Sequence, residues 1–157
     1  MRAKSALIRG RVSGARFTSL LNSKVLYCNS MKILIVDDDK IFSKVLKDGI
    51  TAKGEGKYEV VLARDGEEGI EKVKKEHPGL ILLDLVMPGM DGIQFLRKLR
   101  TIPELSDIPV FINSQMSDIK KISEGLELGV KGYIVKTDYS IDDIVRRIDD
   151  VLLDEKE

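Results

Sequence analysis

Five short apolar runs alternate with longer amphipathic stretches from residue 31 onward. The runs are KILIV at 32–36, YEVVLA at 58–63, LILLD at 80–84, PVFIN at 109–113 and GYIVK at 132–136. Most are apolar on both faces, which is typical of strands covered by helices on each side. Successive runs start 26, 22, 29 and 23 residues apart, which is too long for hairpins and enough for one crossover helix each. The pattern therefore predicts a parallel sheet.

The stretches between these runs have the spacing and the first residues of helices. In SIDDIVRRIDDVLL at 140–153, apolar residues recur on one helical face, and Ser140 with Asp143 resembles a capping box. A first helix is expected over about 40–52. The residues that could cap the other helices are Asp65, Asp91 and Ser117. Five strand–helix units with right-handed crossovers predict a doubly wound α/β domain over 31–154.

Residues 1–30 do not share this pattern. They carry six basic residues and no acid, and they show no sustained period of a strand or a helix. Such a composition resembles a transit peptide, but Met31 and Lys32 lead directly into the first run. We therefore expect residues 1–30 to be a basic extension outside the fold, either disordered or foreign to the functional protein.

The balanced overall charge conceals an acidic body. The chain has 26 basic and 26 acidic residues, and leaving out the six basic residues of the extension gives 20 against 26, a net charge of −6 for 31–157. An acidic body argues against nucleic acid as a partner, because phosphate backbones are bound by Lys and Arg. No apolar stretch approaches the roughly 18 residues of a membrane span, and the single Cys28 cannot form an internal disulfide. We therefore expect a cytoplasmic protein with no membrane partner.

Charged and polar residues follow the ends of the apolar runs. Asp37 and Asp38 follow the first run, Asp84 ends the third, Ser114 follows the fourth and Lys136 ends the fifth. Ligands of doubly wound sheets lie outside the carboxyl ends of the strands, and the common flavodoxin-like order 2-1-3-4-5 makes strands 1 and 3 neighbours. The three acids should therefore share one pocket, with the hydroxyl and the ammonium group arriving from the other side.

Three carboxylates at close range repel one another and need a compensating cation. Mg²⁺ prefers oxygen ligands and binds through one or two carboxylates, waters and phosphate oxygens. A lysine and a hydroxyl opposite the acids would bind the oxygens of an incoming phosphoryl group. A carboxylate can act as the nucleophile that forms an aspartyl-phosphate. The pocket therefore indicates magnesium-dependent phosphoryl chemistry.

These residues together resemble a response-regulator receiver domain of two-component signalling. The matching segments are VDDD at 36–39, LLDLVMPGMDG at 82–92, Ser114, Tyr133 and Lys136. By this resemblance Asp84 is the phosphoacceptor, and Asp37 and Asp38 hold Mg²⁺ together with it. Ser114 would bond a phosphoryl oxygen and Lys136 would pair with the phosphoryl group.

The resemblance also implies how such a domain signals. It would accept a phosphoryl group from a phosphohistidine on a sensor kinase or phosphotransfer protein, and Tyr133 would reorient as the switch aromatic. It would not be an enzyme beyond its own phosphoryl transfer and dephosphorylation. Because the sequence ends shortly after the fifth helix, we expect a stand-alone domain whose output passes to a protein target through about 117–153.

Three features depart from the usual family pattern. Thr137 stands where a proline usually follows the lysine, so the preceding bond is either trans or strained. Gln115 replaces a small residue and could crowd Asp84. Val86 and Met116 are apolar where the family varies its dephosphorylation rate, which predicts slow loss of the phosphoryl group.

Other functions and roles compete with this interpretation. A degenerate receiver that docks partners without phosphorylation is the main alternative, and Gln115 and Thr137 are its best support. A magnesium-dependent phosphatase for small molecules would usually carry a second acid two residues after Asp84, where Val86 stands. Asp39 is interpreted as a helix cap rather than as a further metal ligand.

Overall fold

The computed structural model describes residues 30–115 and 119–154. The strands are β1 (Met31–Val36), β2 (Tyr58–Ala63), β3 (Leu80–Leu83), β4 (Val110–Ser114) and β5 (Gly132–Val135). The helices are α1 (Lys40–Lys53), α2 (Gly66–Glu76), α3 (Gly92–Arg100), α4 (Ile119–Glu127) and α5 (Ile141–Asp154). The expectations for residues 1–29, Met116 and Ser117 lie outside the described residues.

The five strands form one parallel sheet in the order β2-β1-β3-β4-β5. This confirms the predicted doubly wound, flavodoxin-like topology. β3 and β5 end one residue earlier than the apolar runs suggested, yet Asp84 N–H still donates to Val36 O at 2.9 Å and Lys136 N–H to Ser114 O at 3.0 Å. The two functional candidates therefore lie at the last rung of the sheet.

Alternating side chains of the strands build two apolar layers. On one face, Ile33, Ile35, Leu82, Phe111 and Ile134 pack against α1 and α5. On the other face, Leu34, Val36, Leu83 and Ile112 pack against residues of α2, α3 and α4. We call these the α1/α5 face and the α2/α3/α4 face. Both faces are buried, which explains why the strands are apolar throughout.

The helix ends follow the predicted caps. Side-chain oxygens of Asp39, Asp65, Asp91 and Ser140 each accept a hydrogen bond from a backbone N–H three residues later. In α3 and at the start of α5 the bonds are reciprocal, which confirms the expected capping box of Ser140 and Asp143. None of the helices in the described residues is long and apolar enough to cross a membrane.

Candidate functional site

Three carboxylates meet where β1 and β3 end. Val36 pairs with Leu83 across the two strands, so the next residues, Asp37 and Asp84, are also side by side. One carboxylate oxygen from each of Asp37, Asp38 and Asp84 lies within 4.8 Å of the others. Asp37 and Asp84 are buried, whereas Asp38 is exposed. The structure therefore brings together the acids that the sequence placed in one pocket, with one side open to solvent.

Local backbone groups hold the two buried carboxylates. Asp39 N–H donates to Asp37 Oδ1 at 2.9 Å, and Val86 N–H donates to Asp84 Oδ1 at 3.2 Å. Hydrogen bonds from backbone N–H groups favour the ionised form of a carboxylate. Each acid is thus oriented by the loop that immediately follows its strand.

Gly92 fixes the loop that follows Asp84. Its N–H donates to Leu85 O at 3.0 Å, and a Cβ added at this position would lie 2.4 Å from Asp84 O and 2.7 Å from Leu85 Cα. Only a residue without a side chain allows the start of α3 to pack this closely against that backbone. The glycine-containing loop therefore holds the end of β3 in place against α3.

Lys136 crosses the end of the sheet to reach the acids. Its Nζ lies 2.5 Å from Asp37 Oδ2 and 3.4 Å from Asp84 Oδ2, and the three side chains are at most 8% exposed. The ring of Phe42, in the first turn of α1, lies 4.5 Å from the same Nζ. The ammonium group therefore partly offsets the cost of burying two carboxylates.

Burial raises the pKa of Asp84 above its ordinary value. The charge of Lys136 acts in the opposite direction, while the negative charge of Asp37 raises the pKa further, and the bond from Val86 N–H lowers it. The charge of Lys136 therefore does not fully offset the effect of burial on the Asp84 carboxylate. A further cation in the pocket would stabilise its ionised form.

The donor set fits a hard divalent cation. Carboxylate oxygens are ligands that Mg²⁺ prefers, and it usually keeps several waters when bound to protein. Asp37 and Asp84 offer buried oxygens, and the exposed Asp38 leaves room for water on the solvent side. These three residues would hold the ion.

Ser114 and Tyr133 lie on β4 and β5, which follow β3 in the sheet on the side away from β1. Ser114 ends β4 and is buried, and Tyr133 lies on β5 with 44% of its surface exposed. Ile112 pairs with Tyr133, and Ser114 pairs with Val135. The alternation along both strands therefore places Ser114 and Tyr133 on the α2/α3/α4 face, one diagonal step apart.

The three departures from the family pattern have different structural outcomes. Every peptide bond of the described residues is trans, so Thr137 follows Lys136 without the cis geometry that a proline there often brings. Gln115 is exposed at the end of β4. Val86 is 52% exposed beside Asp84.

Sequence reasoning missed three contributors to the site. Phe42 was taken only as part of the first helix, Gly92 as part of a loop motif, and Asn113 as the last residue of the fourth apolar run. Asn113 is 2% exposed, and its side-chain Oδ1 has no hydrogen-bond partner among the described residues. Its position as the polar last residue of an otherwise apolar run was the signal that could have drawn attention to Asn113.

Comparisons with known proteins identify the family. Residues 33–149 match the family described as "Response regulator receiver domain", and the chain belongs to it. Among solved structures, a CheY-like response regulator receiver domain protein from Methanospirillum hungatei is 26% identical with a TM-score of 0.74, covering 82% of this chain and 98% of that one. The Vibrio cholerae chemotaxis protein CheY4 is also 26% identical, with a TM-score of 0.70 over 78% of this chain and 98% of that one.

Curated relatives include longer regulators. A "Probable transcriptional regulator ycf27" of Porphyridium aerugineum is 39% identical over 121 residues, covering 77% of this chain and 48% of that protein. The response regulator MprA of Mycobacterium leprae is 31% identical over 118 residues, covering 75% of this chain and 49% of that protein. The chain therefore spans about half the length of these relatives.

The names of these relatives conflict with the expectation that nucleic acid is no partner. That expectation rested on the acidic balance of residues 31–157. The charge of residues 31–157 does not report on the partners of a longer protein, and the relative from Porphyridium aerugineum is a probable transcriptional regulator by name. The acidic charge of residues 31–157 is therefore no argument against a nucleic-acid partner of a longer protein.

Proposed function

We propose that this receiver domain is a phosphorylation-dependent switch in which Asp84 accepts a phosphoryl group from a phosphohistidine donor. The P–N bond of the donor breaks as a P–O bond to Asp84 forms. A bound Mg²⁺ would neutralise charge on the transferring oxygens. The observation that carries the proposal is the set of three clustered carboxylates with Lys136 in contact with two of them.

Each remaining residue has a role that its position supports. Ser114 and Lys136, at the ends of β4 and β5, would bind oxygens of the phosphoryl group. Tyr133 lies one diagonal step from Ser114 on the same face, and its partly exposed ring is free to reorient when Ser114 moves. Asp37 and Asp38 would hold the metal ion together with Asp84.

Exposed apolar side chains beside the site suit the docking of a donor protein. Ile41 and Val45 lie one turn apart at the start of α1 and are 80% and 57% exposed. Val86, in the loop after Asp84, is 52% exposed. Response regulators interact with histidine kinases, and we propose that a kinase or phosphotransfer protein covers these residues while it delivers the phosphoryl group.

A second surface suits the output of the switch. In α4 and β5, Ile119, Leu126 and Tyr133 are 80%, 49% and 44% exposed. They lie within the range of about 117–153 expected to contact the downstream target. We propose that a protein partner binds there, in the cytoplasm, and that its affinity depends on phosphorylation of Asp84.

The proposal is tested by intact mass spectrometry of the full 157-residue chain after incubation with acetyl phosphate. A gain of one phosphoryl mass that requires Mg²⁺ and is absent in Asp84→Ala supports it. Asp91→Ala is the matched control. Asp91 is the N-cap of α3 and lies outside the acid cluster, so this variant should still gain the phosphoryl mass.

Failure of the wild type to gain mass would favour the alternative, a docking module that works without phosphorylation. Gln115→Ala then becomes informative, because it removes the side chain that was expected to crowd Asp84. Labelling of Gln115→Ala alone would show that the site is competent but obstructed.

A further inference from the structure

Asn113 continues the row of side chains that contains the acids. Leu83 pairs with Ile112 across β3 and β4, so the next residues, Asp84 and Asn113, are cross-strand neighbours. Neighbouring strands lie about 4.8 Å apart. Phe111 packs on the α1/α5 face, and the alternation along β4 places the Asn113 side chain on that face too. Asn113 therefore flanks Asp84 on the side opposite Asp37.

Lys136 passes over Asn113 on its way to the acids. β5 is separated from β1 by β4 and β3, so a lysine at the end of β5 that reaches Asp37 must cross the end of β4. The contact of Lys136 Nζ with Phe42, which packs on the α1/α5 face, shows on which face the side chain runs. Asn113 projects on the same face at that crossing.

Asn113 carries an acceptor that this arrangement leaves unused. The residue is 2% exposed, and within the described residues its Oδ1 is one of two buried side-chain oxygens without a hydrogen-bond partner, the other being Ser43 Oγ. A buried polar group without a partner costs free energy and calls for an explanation. A lysine ammonium group has three N–H donors, and among the described residues that of Lys136 contacts the carboxylates of Asp37 and Asp84.

Metal binding would redistribute these bonds. Both oxygens of Asp37 are already engaged, Oδ1 with Asp39 N–H and Oδ2 with Lys136. A divalent cation that takes an oxygen of Asp37 competes with the ammonium group for the same carboxylate and repels it. The ammonium group then needs another acceptor within reach of Asp84.

We propose that Asn113 is a positioning residue whose side-chain oxygen accepts a hydrogen bond from Lys136 when a divalent cation occupies the acid cluster. The bond holds the ammonium group beside Asp84, where an incoming phosphoryl group would meet it. This inference rests on the proposed function for the identity of the site, but its test does not require phosphoryl transfer.

The test is a Mg²⁺ titration of the full chain in which binding is monitored through amide NMR chemical shifts. Urea unfolding in metal-free buffer measures the stability of the same variants. Asn113→Leu keeps the branching of the side chain and removes both polar atoms. We expect it to weaken Mg²⁺ binding roughly 10- to 100-fold, because a hydrogen bond to a charged group is lost. Metal-free stability should stay the same or rise, because a buried unpaired oxygen has gone.

Ser43→Ala is the matched control. It removes the other unpartnered buried oxygen, which belongs to α1 and lies outside the cross-strand row. It should leave Mg²⁺ affinity unchanged. Equal Mg²⁺ affinity of the wild type and Asn113→Leu would overturn the proposal, as would an equal loss in Ser43→Ala.

A double-mutant cycle shows whether Asn113 acts through Lys136. In the Lys136→Met background, Asn113→Leu should have no effect on Mg²⁺ affinity, and an undiminished effect would contradict the proposal. The comparison of single variants decides the matter even if Lys136→Met does not fold. A wild type that binds Mg²⁺ but takes no phosphoryl group would refute the proposed function while leaving this inference standing.

Discussion

Lys136 is closer to Asp37 than to Asp84, at 2.5 Å against 3.4 Å. The ammonium group is therefore paired mainly with Asp37, which we propose as a metal ligand, and Asp84, the proposed phosphoacceptor, has the longer contact. Metal binding and phosphorylation would therefore both have to move Lys136 from its present contact. Changes to the buried pair of Lys136 with Asp37 should therefore affect both the stability of the fold and the chemistry of the site.

Lys136→Met should strongly destabilise the metal-free protein. It leaves Asp37 and Asp84 buried without their ammonium partner, a change that typically costs about 3–5 kcal/mol. Urea unfolding at neutral pH in the presence of EDTA measures the loss. Lys44→Met is the control, because the pair of Lys44 with Asp48 is exposed on both sides and should contribute less than about 1 kcal/mol. Similar losses in the two variants would contradict a stabilising role for the buried contacts of Lys136 with Asp37 and Asp84.

Asp84→Asn should stabilise the metal-free protein at neutral pH. The pKa of Asp84 is raised by burial, so between the unfolded and folded pKa values the folded state binds more protons than the unfolded state. Its stability therefore falls as the pH rises through that window, and the deficit persists at about pH 7. The advantage of the variant should shrink towards about pH 4. An Asp84→Asn variant that is less stable than the wild type at neutral pH would contradict the raised pKa of Asp84.

Gly92→Ala should damage both the fold and the site. The new Cβ would overlap the backbone of Asp84 and Leu85, and such overpacking costs about 2–3 kcal/mol. Gly89→Ala is the control, because Gly89 has a φ of +76° but no atom within 4 Å of an added Cβ. We expect that control to cost about 1–2 kcal/mol through backbone conformation alone and to leave labelling of Asp84 intact. Normal labelling in Gly92→Ala would show that the loop does not position Asp84.

Loss of the phosphoryl group should be slow in the wild type. The exposed side chain of Val86 beside Asp84 is apolar and cannot orient an attacking water. Val86→Asn should shorten the half-life about 10-fold, because a polar side chain there can position the water. The same substitution at Val45, exposed on α1, is the control and should have no effect. A wild-type half-life of seconds in Mg²⁺ buffer would contradict this role of Val86.

Arg100→Met should loosen the side of the domain that carries α4. The Arg100 guanidinium donates to four backbone oxygens, those of Ser106, Ile108, Leu128 and Gly129. Losing these bonds should cost about 2–3 kcal/mol, because partly buried carbonyls are left without donors. Arg97→Met, which removes an exposed pair with Glu124, should cost less than about 1 kcal/mol. Equal costs would mean that the bonds of Arg100 are replaced by water.

The sequence was sufficient for the fold because each strand is specified locally. The five apolar runs locate the strands to within one residue, and their spacing requires crossovers, so the parallel sheet follows. The caps are equally local, since Asp39 and Asp91 each bond a backbone N–H only three residues away. Most of the candidate site residues could be named for the same reason, because they lie at or directly after the end of an apolar run.

The details of the site depend on contacts between distant elements. The preference of Lys136 for Asp37 is set by the path of its side chain across β4 and β3, which no local pattern encodes. The different demands on Gly89 and Gly92 depend on what lies opposite each of them in three dimensions. The unpartnered oxygen of Asn113 is visible only once its neighbours are in place.

The identity of the phosphoacceptor is best measured by peptide mass mapping of the full chain after labelling with acetyl phosphate and Mg²⁺. Trypsin separates the candidates, because Asp37, Asp38 and Asp39 fall in the peptide 33–40 while Asp84 falls in the peptide 76–97. We predict that the phosphoryl group is on the second peptide, with fragment ions placing it on Asp84 and not on Asp91. A phosphoryl group on the first peptide would contradict the assignment of Asp84 as the nucleophile.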